Sequence, residues 1–213
     1  MERTTMYNIY GFGTFNPLKV VFTAEELGLE YQFHPVDLAK GENRHPDYLA
    51  IHPLGKIPAL EHNGNTFIES ASICRYMANC SGQQLYSQDP VAAAQIDQVM
   101  DLMQTHIGRW LGAFFWQEIV MPMMKQQPDQ AVLAEAKGWL DKQLPVIDDI
   151  LAKKAFLGGS RFSIADTFAF PLLNTSEITS VDLGPYQHIQ RWYGEISSRP
   201  ALQRAKQQIG QMK

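Results

Sequence analysis

Thr14, in the loop formed by residues 11–15, has a side chain that could take part in chemistry. Thr14 lies two residues before Asn16 and Pro17, a pair typical of a helix start, because asparagine caps well and proline suits the first helical position. The bare amides and the dipole of a helix start favour negative charge. A threonine hydroxyl beside such a start could therefore help to stabilise an anion.

Two residues near Thr14 offer alternative sources of a polar group. Asn16 could serve only as the helix N-cap, or it could take part in the same chemistry. Tyr10 carries a rival hydroxyl, but it falls inside a predicted strand, which favours a place in the core. No cysteine lies in this loop, which argues against a protein thiol as the nucleophile, and the spacing of Cys74 and Cys80 suits neither a redox pair nor a metal site.

Glu69 and Ser70 stand where a strand is predicted to end and a helix to begin. The helix start and the Ser70 hydroxyl could bind a carboxylate, while Glu69 could pair with an ammonium group. The residues by themselves favour a simpler interpretation. In that interpretation Ser70 caps its helix and Glu69 is a favourable charge near it.

Ile57 and Pro58 could present main chain to an extended peptide. The residue before a proline is biased to an extended shape, and an extended peptide is best held by an exposed backbone edge. The alternative is an ordinary trans proline that starts a strand. The nearby side chains of Asn43, Arg44 and Lys56 could hold a carboxylate, or they could simply be solvated loop residues.

The first eighty residues contain the elements that must position these groups. Strand patterns alternate with helix patterns and are separated by glycine- and asparagine-containing turns, of which Asn63-Gly64 predicts a tight hairpin. Strands are predicted at 6–10, 31–36, 59–61 and 66–68, and helices at 16–27, 46–51 and 70–80. The order βαβ followed by ββα predicts a thioredoxin-like α/β domain over residues 1–82.

The rest of the chain contains no convincing strand. A linker is predicted at 83–89 and an all-helical domain at 90–213, in which Ser163 and Asp166 form a capping box. Phe12, Leu111 and Phe115 could line an apolar pocket. Aromatic clusters on a helix are, however, more often part of a core.

Composition excludes several classes of function. The 213 residues carry a net charge of −4, so the overall field attracts no nucleic acid. No apolar run approaches the ~20 residues that cross a bilayer, and no signal-peptide pattern is found at residues 1–10, so we expect a cytoplasmic protein without membrane association.

Four stretches together resemble the cytosolic glutathione transferases across essentially the whole chain. They are Leu54-Gly55-Lys56-Ile57-Pro58-Ala59-Leu60, Ile68-Glu69-Ser70-Ala71-Ser72-Ile73, Arg161-Phe162-Ser163-Ile164-Ala165-Asp166-Thr167 and Ser198-Arg199-Pro200-Ala201. The resemblance implies glutathione as co-substrate, no metal, a cis Ile57–Pro58 bond and a homodimer. It implies that Glu69 and Ser70 hold the γ-glutamyl end, that Ile57 and Pro58 present the main chain, and that Asn43, Arg44 and Lys56 lie near the glycine carboxylate.

Thr14 matches the position of the catalytic serine in the theta and phi types of this family, and Thr14-Phe15-Asn16 is similar to the Thr-x-Asn pattern of the bacterial nu type. The first implies that Thr14 stabilises the thiolate of glutathione and that the peptide is transferred to a small hydrophobic electrophile. The apolar pocket of Phe12, Leu111 and Phe115 would hold this second substrate. The second implies reduction of a disulfide or peroxide by glutathione. A non-catalytic carrier or interaction module with the same fold remains the third alternative.

Overall fold

The computed structural model describes residues 6–210. The chain divides into two compact units. One comprises the residues up to Tyr86 together with those from Ser198 onward, and the other comprises Ser87–Ser197. Each unit has its own secondary-structure class, α/β in the first and helical in the second.

The first unit is built on a four-stranded mixed sheet with the order β2-β1-β3-β4. Strand β1 pairs parallel to β2 and antiparallel to β3, and β3 pairs antiparallel to β4. The elements are β1 (Tyr7–Gly11), α1 (Phe15–Leu27), β2 (Tyr31–Pro35), α2 (Pro46–Ile51), β3 (Ala59–His62), β4 (Asn65–Ile68) and α3 (Ser70–Cys80). The predicted thioredoxin-like order is confirmed. Asn63 and Gly64 both have positive φ, as a tight hairpin turn requires.

Helix α1 begins earlier than the sequence suggests. Thr14 is the N-cap, with extended backbone at φ −127° and ψ 169°, and the first helical bond runs from the Leu18 amide to the Thr14 carbonyl at 3.1 Å. The prediction that Asn16 caps the helix is therefore wrong, because Asn16 already lies in the first turn. Pro17 is tolerated there, because the amide it lacks would have no partner within the helix. The predicted end is confirmed, since Gly28 takes the left-handed conformation at φ 64°.

The final helix, α10 (Pro200–Ile209), packs against α1 in the first unit. The Arg199 guanidinium donates to both carboxylate oxygens of Glu26, at 2.5 and 2.7 Å, and Arg204 donates to Glu25 at 2.6 Å. The sequence-based division at 83–89 counted these residues with the helical domain. In the structure they belong to the compact unit that contains the sheet.

The second unit consists of helices. They are α4 (Pro90–Leu102), α5 (Gly108–Phe115), α6 (Met121–Met123), α7 (Gln130–Lys153), α8 (Ile164–Leu173) and α9 (Gln187–Ser197). Helix α4 starts at Pro90 with Asp89 as its cap, and π-helical turns at Met103–Ile107 and Trp116–Val120 join α4, α5 and α6 into one long span. Within residues 6–210 no helix is long and apolar enough to cross a bilayer.

Asp166 organises the interior of the second unit. The predicted capping box is confirmed, with the Ser163 amide donating to Asp166 at 2.9 Å and the Ala165 amide donating to the Ser163 hydroxyl at 3.3 Å. Asp166 also accepts the Leu157 amide at 2.9 Å and the indole N–H of Trp192 at 2.8 Å. Burial raises the pKa of this carboxyl to about 6, although all of these donors favour its charged form.

Candidate functional site

The start of α1 places a hydroxyl beside a helix N-terminus. Thr14 is the N-cap, yet its side chain makes no capping bond, and among residues 6–210 its hydroxyl has no hydrogen-bond partner. The Asn16 amide lies before the first helical hydrogen bond, so it has no acceptor within the helix and can donate to a ligand. Pro17, the next residue, has no N–H. The hydroxyl and the helix dipole can therefore act together on an anion at this point.

The rival hydroxyl of Tyr10 is already engaged. Tyr10 lies in β1 as predicted, and its hydroxyl donates to Glu61 at 2.6 Å while its ring stacks on His34 with 4.7 Å between centroids. Burial, with the Glu61 bond next, raises the pKa of Tyr10 to about 12. This hydroxyl is thus a poor donor to a new anion.

The start of α3 forms a second anion-binding geometry. Glu69 is the N-cap, with φ 67° and ψ 111° and no side-chain capping bond, and Ser70 is the first helical residue with only 5% of its surface exposed. The first helical bond runs from the Ile73 amide to the Glu69 carbonyl at 3.0 Å. Ser70 is therefore not the N-cap, and its hydroxyl and amide lie before the first helical bond.

Strand pairing brings Ile57 and Pro58 next to this helix start. The Ile57–Pro58 peptide bond is cis, as the resemblance implied. Ala59 follows directly and pairs with Ile68, the residue before Glu69. In the part of the chain that the structure describes, the main-chain groups of Ile57 have no hydrogen-bond partner. An extended ligand could pair with them while its end reaches the start of α3.

Asn43 braces the loop that leads to Ile57. Its side-chain amide donates to the Gly55 carbonyl at 2.7 Å, and the Tyr48 hydroxyl donates to the Lys56 carbonyl at 2.6 Å. Gly55 has φ 58°, and a Cβ there would lie 2.7 Å from the Asn43 carbonyl oxygen. One N–H of Asn43 thus holds the loop, while the side chains of Arg44 and Lys56 are exposed.

Two buried ionisable residues of the first unit were missed by sequence reasoning. His52 and Lys19 are each only 2% exposed. The ring nitrogen Nδ1 of His52 accepts the Leu54 amide at 3.3 Å, so the neutral ring carries its proton on Nε2. Burial lowers the pKa of both residues, to about 7 for Lys19. The signal that could have found Lys19 is a charge inside the apolar run Leu18–Phe22 of a helix.

The three residues expected to line an apolar pocket have different environments. Phe12 is half-buried in the loop after β1. Leu111 and Phe115 are buried within the second unit, as core residues of α5 would be. Their lining role stays a prediction.

Comparison with known proteins fits this two-unit architecture. Residues 5–79 match the family model for the glutathione S-transferase N-terminal domain, and residues 112–200 match that for the C-terminal domain. The probable glutathione S-transferase GSTF2 of Oryza sativa is 32% identical over 197 residues, covering 90% of this chain and 91% of the relative. Arabidopsis thaliana glutathione S-transferase F10 is also 32% identical, over 86% of this chain and 88% of its own length.

Solved structures of glutathione transferases also align with this chain over most of its length. Glutathione transferase F2 of Populus trichocarpa aligns with a TM-score of 0.88 and 30% identity, over 95% of this chain and 98% of that structure. The theta class enzyme of Xanthomonas axonopodis pv. citri, solved with glutathione bound, aligns with a TM-score of 0.86 and 30% identity, over 93% and 96%. The fold and site therefore define a two-domain protein with a thioredoxin-like unit and a helical unit. The chain belongs to the glutathione S-transferase family.

Proposed function

We propose that this chain is an enzyme that binds glutathione at the helix starts of its first unit and transfers it to a small hydrophobic electrophile. The observation that carries the proposal is the Thr14 hydroxyl. It stands at the N-cap of α1 without a partner among residues 6–210. In a chain of this family, such a donor is placed to stabilise a thiolate.

The site suits the shape and charges of glutathione. The γ-glutamyl carboxylate binds at the start of α3 through the Ser70 hydroxyl and amide, and the γ-glutamyl ammonium pairs with Glu69. The main chain of Ile57, beside Pro58, pairs with the extended peptide. The glycine carboxylate then lies towards the exposed Lys56 and Arg44, with the remaining N–H of Asn43 as a further donor.

Activation of the thiol follows from the start of α1. The Thr14 hydroxyl donates to the sulfur, and the dipole of α1 adds positive potential there. Both favour the thiolate over the thiol, so the pKa of bound glutathione falls below that of the free peptide. The thiolate attacks the electrophilic carbon, and the leaving group departs with its electron pair.

A second candidate function is reduction of a disulfide or peroxide by glutathione at the same site. The observation that favours it is the position of Asn16, which lies in the first turn of α1 and does not cap the helix. Asn16 is therefore available to the site together with Thr14, as the Thr-x-Asn pattern requires. A non-catalytic module would bind glutathione without turning over either substrate.

Parallel assays decide among these functions. An aryl halide and a small disulfide are each offered with glutathione, and binding is measured by calorimetry. Turnover of the halide with little reduction of the disulfide supports the transferase. The reverse supports the reductase, binding without turnover supports a carrier, and no binding refutes the proposal.

We also propose a homodimer, in which the α3 helix of one copy faces the span 91–120 of the other, with Arg75 as a candidate contact. Light scattering at micromolar concentration should give twice the chain mass of 24.1 kDa. A monomer mass would contradict this assembly.

A further inference from the structure

Lys19 is a buried lysine in the first unit that the proposed function does not use. It lies on α1 in the stretch that packs against α3, and only 2% of its surface is exposed. Burying an ammonium group is costly unless something compensates it. A methionine would fill a similar volume without that cost. Packing alone therefore does not account for a lysine at this position.

The Lys19 side chain is directed towards the start of α1. Side chains on a helix lean towards its N-terminus, and the residue one turn before Lys19 is Phe15. The Lys19 ammonium nitrogen lies 5.8 Å from the centre of the Phe15 ring. Phe15 directly follows Thr14, so the positive charge is near the N-cap at which we place the sulfur of glutathione.

The same residue is linked to the start of α3. The Cys74 thiol donates to the Lys19 carbonyl at 3.6 Å, and the Thr23 hydroxyl lies 2.8 Å from that carbonyl and 3.4 Å from the Cys74 sulfur. Cys74 is one turn after Ser70, and the negative charge of the Glu69 carboxylate raises the pKa of the Lys19 ammonium against the larger effect of burial. Lys19 is thus in contact with Phe15, the first residue of α1, and with Cys74, in the second turn of α3.

We propose that Lys19 is a positioning residue of the glutathione site, whose ammonium group orients the Glu69 carboxylate and favours the anionic sulfur beside Thr14. This inference rests on the proposed function. Glu69 has a backbone conformation that favours glycine, and a buried positive charge behind it would fix its carboxylate for the ammonium of the ligand. A positive charge near the N-cap of α1 also favours the thiolate over the thiol.

Several other ionisable groups lie on the elements that pack against α1, and the arginines among them have other partners. Besides Glu69 and Cys74, they comprise two tyrosines of β1, three residues of α3, two of α10 and the N-cap of α10. These are Tyr7, Tyr10, Arg75, Tyr76, Cys80, Arg204, Lys206 and Arg199. Arg199 and Arg204 bind Glu26 and Glu25, at the far end of α1. Arg75 acts on the thiol of Cys74. Because burial holds the pKa of Lys19 at about 7, its charge fades as the pH rises above neutrality.

The test uses two substitutions and a matched control in the full-length protein. Lys19→Met keeps the volume and removes the charge, and Lys19→Arg keeps a charge at every pH. Thr23→Val alters the neighbouring contact with the Lys19 carbonyl and leaves the ammonium in place. Glutathione affinity is measured by calorimetry, the thiol pKa of bound glutathione by ultraviolet absorbance of the thiolate, and folding by thermal unfolding.

We expect Lys19→Met to fold, to bind glutathione several-fold more weakly, and to raise the pKa of the bound thiol by about one pH unit. Lys19→Arg should keep that pKa as low as in wild type or lower, and Thr23→Val should leave it unchanged. A folded Lys19→Met protein with wild-type affinity and thiol pKa overturns the role of Lys19 while the proposed function stands. If Lys19→Met does not fold, a raised thiol pKa in folded Lys19→Arg overturns it instead. Absence of glutathione binding in wild type overturns both.

Discussion

The hydroxyl of Tyr10 donates a hydrogen bond of 2.6 Å to the carboxylate of Glu61, across the pairing of β1 with β3. This bond commits the only hydroxyl that rivals Thr14 in the sequence analysis. A tyrosine that gave up this bond to serve a ligand would leave the Glu61 carboxylate without that donor. The structure therefore favours Thr14 as the donor to sulfur.

Replacing Thr14 should raise the thiol pKa of bound glutathione. Thr14→Val keeps the shape and removes the donor, and one charge-assisted hydrogen bond corresponds to roughly one to two pH units. Thr14→Ser should stay active, because it keeps the hydroxyl. Ultraviolet titration of the thiolate measures the effect. Identical titrations for wild type and Thr14→Val would remove Thr14 from the mechanism.

Asn16→Ala is the companion experiment. Because Asn16 lies in the first turn and is not the N-cap, its loss should change the free energy of unfolding by less than about 0.5 kcal/mol. An unfolding cost of about 1 kcal/mol would contradict this reading. A thiol pKa that rises as much as in Thr14→Val would favour the disulfide reductase.

Glu69 offers a test that separates ligand binding from stability. Glu69→Ala and Glu69→Gly both remove the carboxylate, and Ser70→Ala removes the adjacent hydroxyl. Each should weaken glutathione binding about ten-fold or more, since a hydrogen bond to a charged group contributes about 1.5–3 kcal/mol. Glycine alone accepts φ 67° without strain, so Glu69→Gly should be more stable than Glu69→Ala by about 1 kcal/mol. Calorimetry and urea unfolding measure the two effects, and unchanged affinity in all three variants would refute this subsite.

Lys19 should make the stability of the wild-type protein depend on pH. Its pKa is about 7 in the folded state against an ordinary 10.5, so the unfolded chain binds more protons between these values. The contribution of Lys19 to stability is therefore least favourable below about pH 7 and recovers as the pH rises towards 10.5. Lys19→Met should unfold at a higher temperature than wild type at mildly acidic pH, with a gap that narrows at alkaline pH. A gap that stays constant with pH would show that Lys19 is charged throughout.

Arg199 should contribute more to stability than Arg204. Arg199 binds Glu26 through two hydrogen bonds, and the Glu26 side chain is only 9% exposed. Arg199→Ala should cost about 1.5–3 kcal/mol, as expected for hydrogen bonds to a charged group. Arg204→Ala is the matched control, because its side chain is 53% exposed, and it should cost less than about 1 kcal/mol. Equal costs in urea unfolding would contradict the difference.

Asp166 should be among the most sensitive positions of the second unit. Asp166→Ala removes the acceptor of two buried donors, the Leu157 amide and the Trp192 indole, and half of the capping box. At about 1–3 kcal/mol for each of these two donors and for the Ser163 amide, which also donates to Asp166, the total should exceed about 3 kcal/mol. Ser163→Ala loses the cap and one 3.2 Å hydrogen bond to Asp166, leaves the other donors to Asp166 in place, and should cost about 0.5–2 kcal/mol. The reverse order of the two costs in urea unfolding would contradict this account of the buried network.

The sequence by itself determined the elements of both units, because their signals are local. The Asn63-Gly64 hairpin, the end of α1 at Gly28 and the capping box at Ser163 each depend on a few neighbouring residues. The motif around Ile57 and Pro58 likewise indicated the family, because four specific stretches occurred in the expected order. Helix α1 was misplaced at its start, since Thr14 and Asn16 are both good caps and only the folded backbone selects one.

The tertiary structure alone decided what each polar group touches. Tyr10 meets Glu61 only because strands 51 residues apart in the chain pair with each other, and Asn43 meets Gly55 only when the loop folds. The burial of Lys19 depends on α1 lying against α3. Arg199 meets Glu26, 173 residues away in the chain, only because α10 packs against α1. A sequence pattern gives the face on which a side chain lies. The partner on that face, and with it the charge and hydrogen bonding of the group, is set by long-range packing.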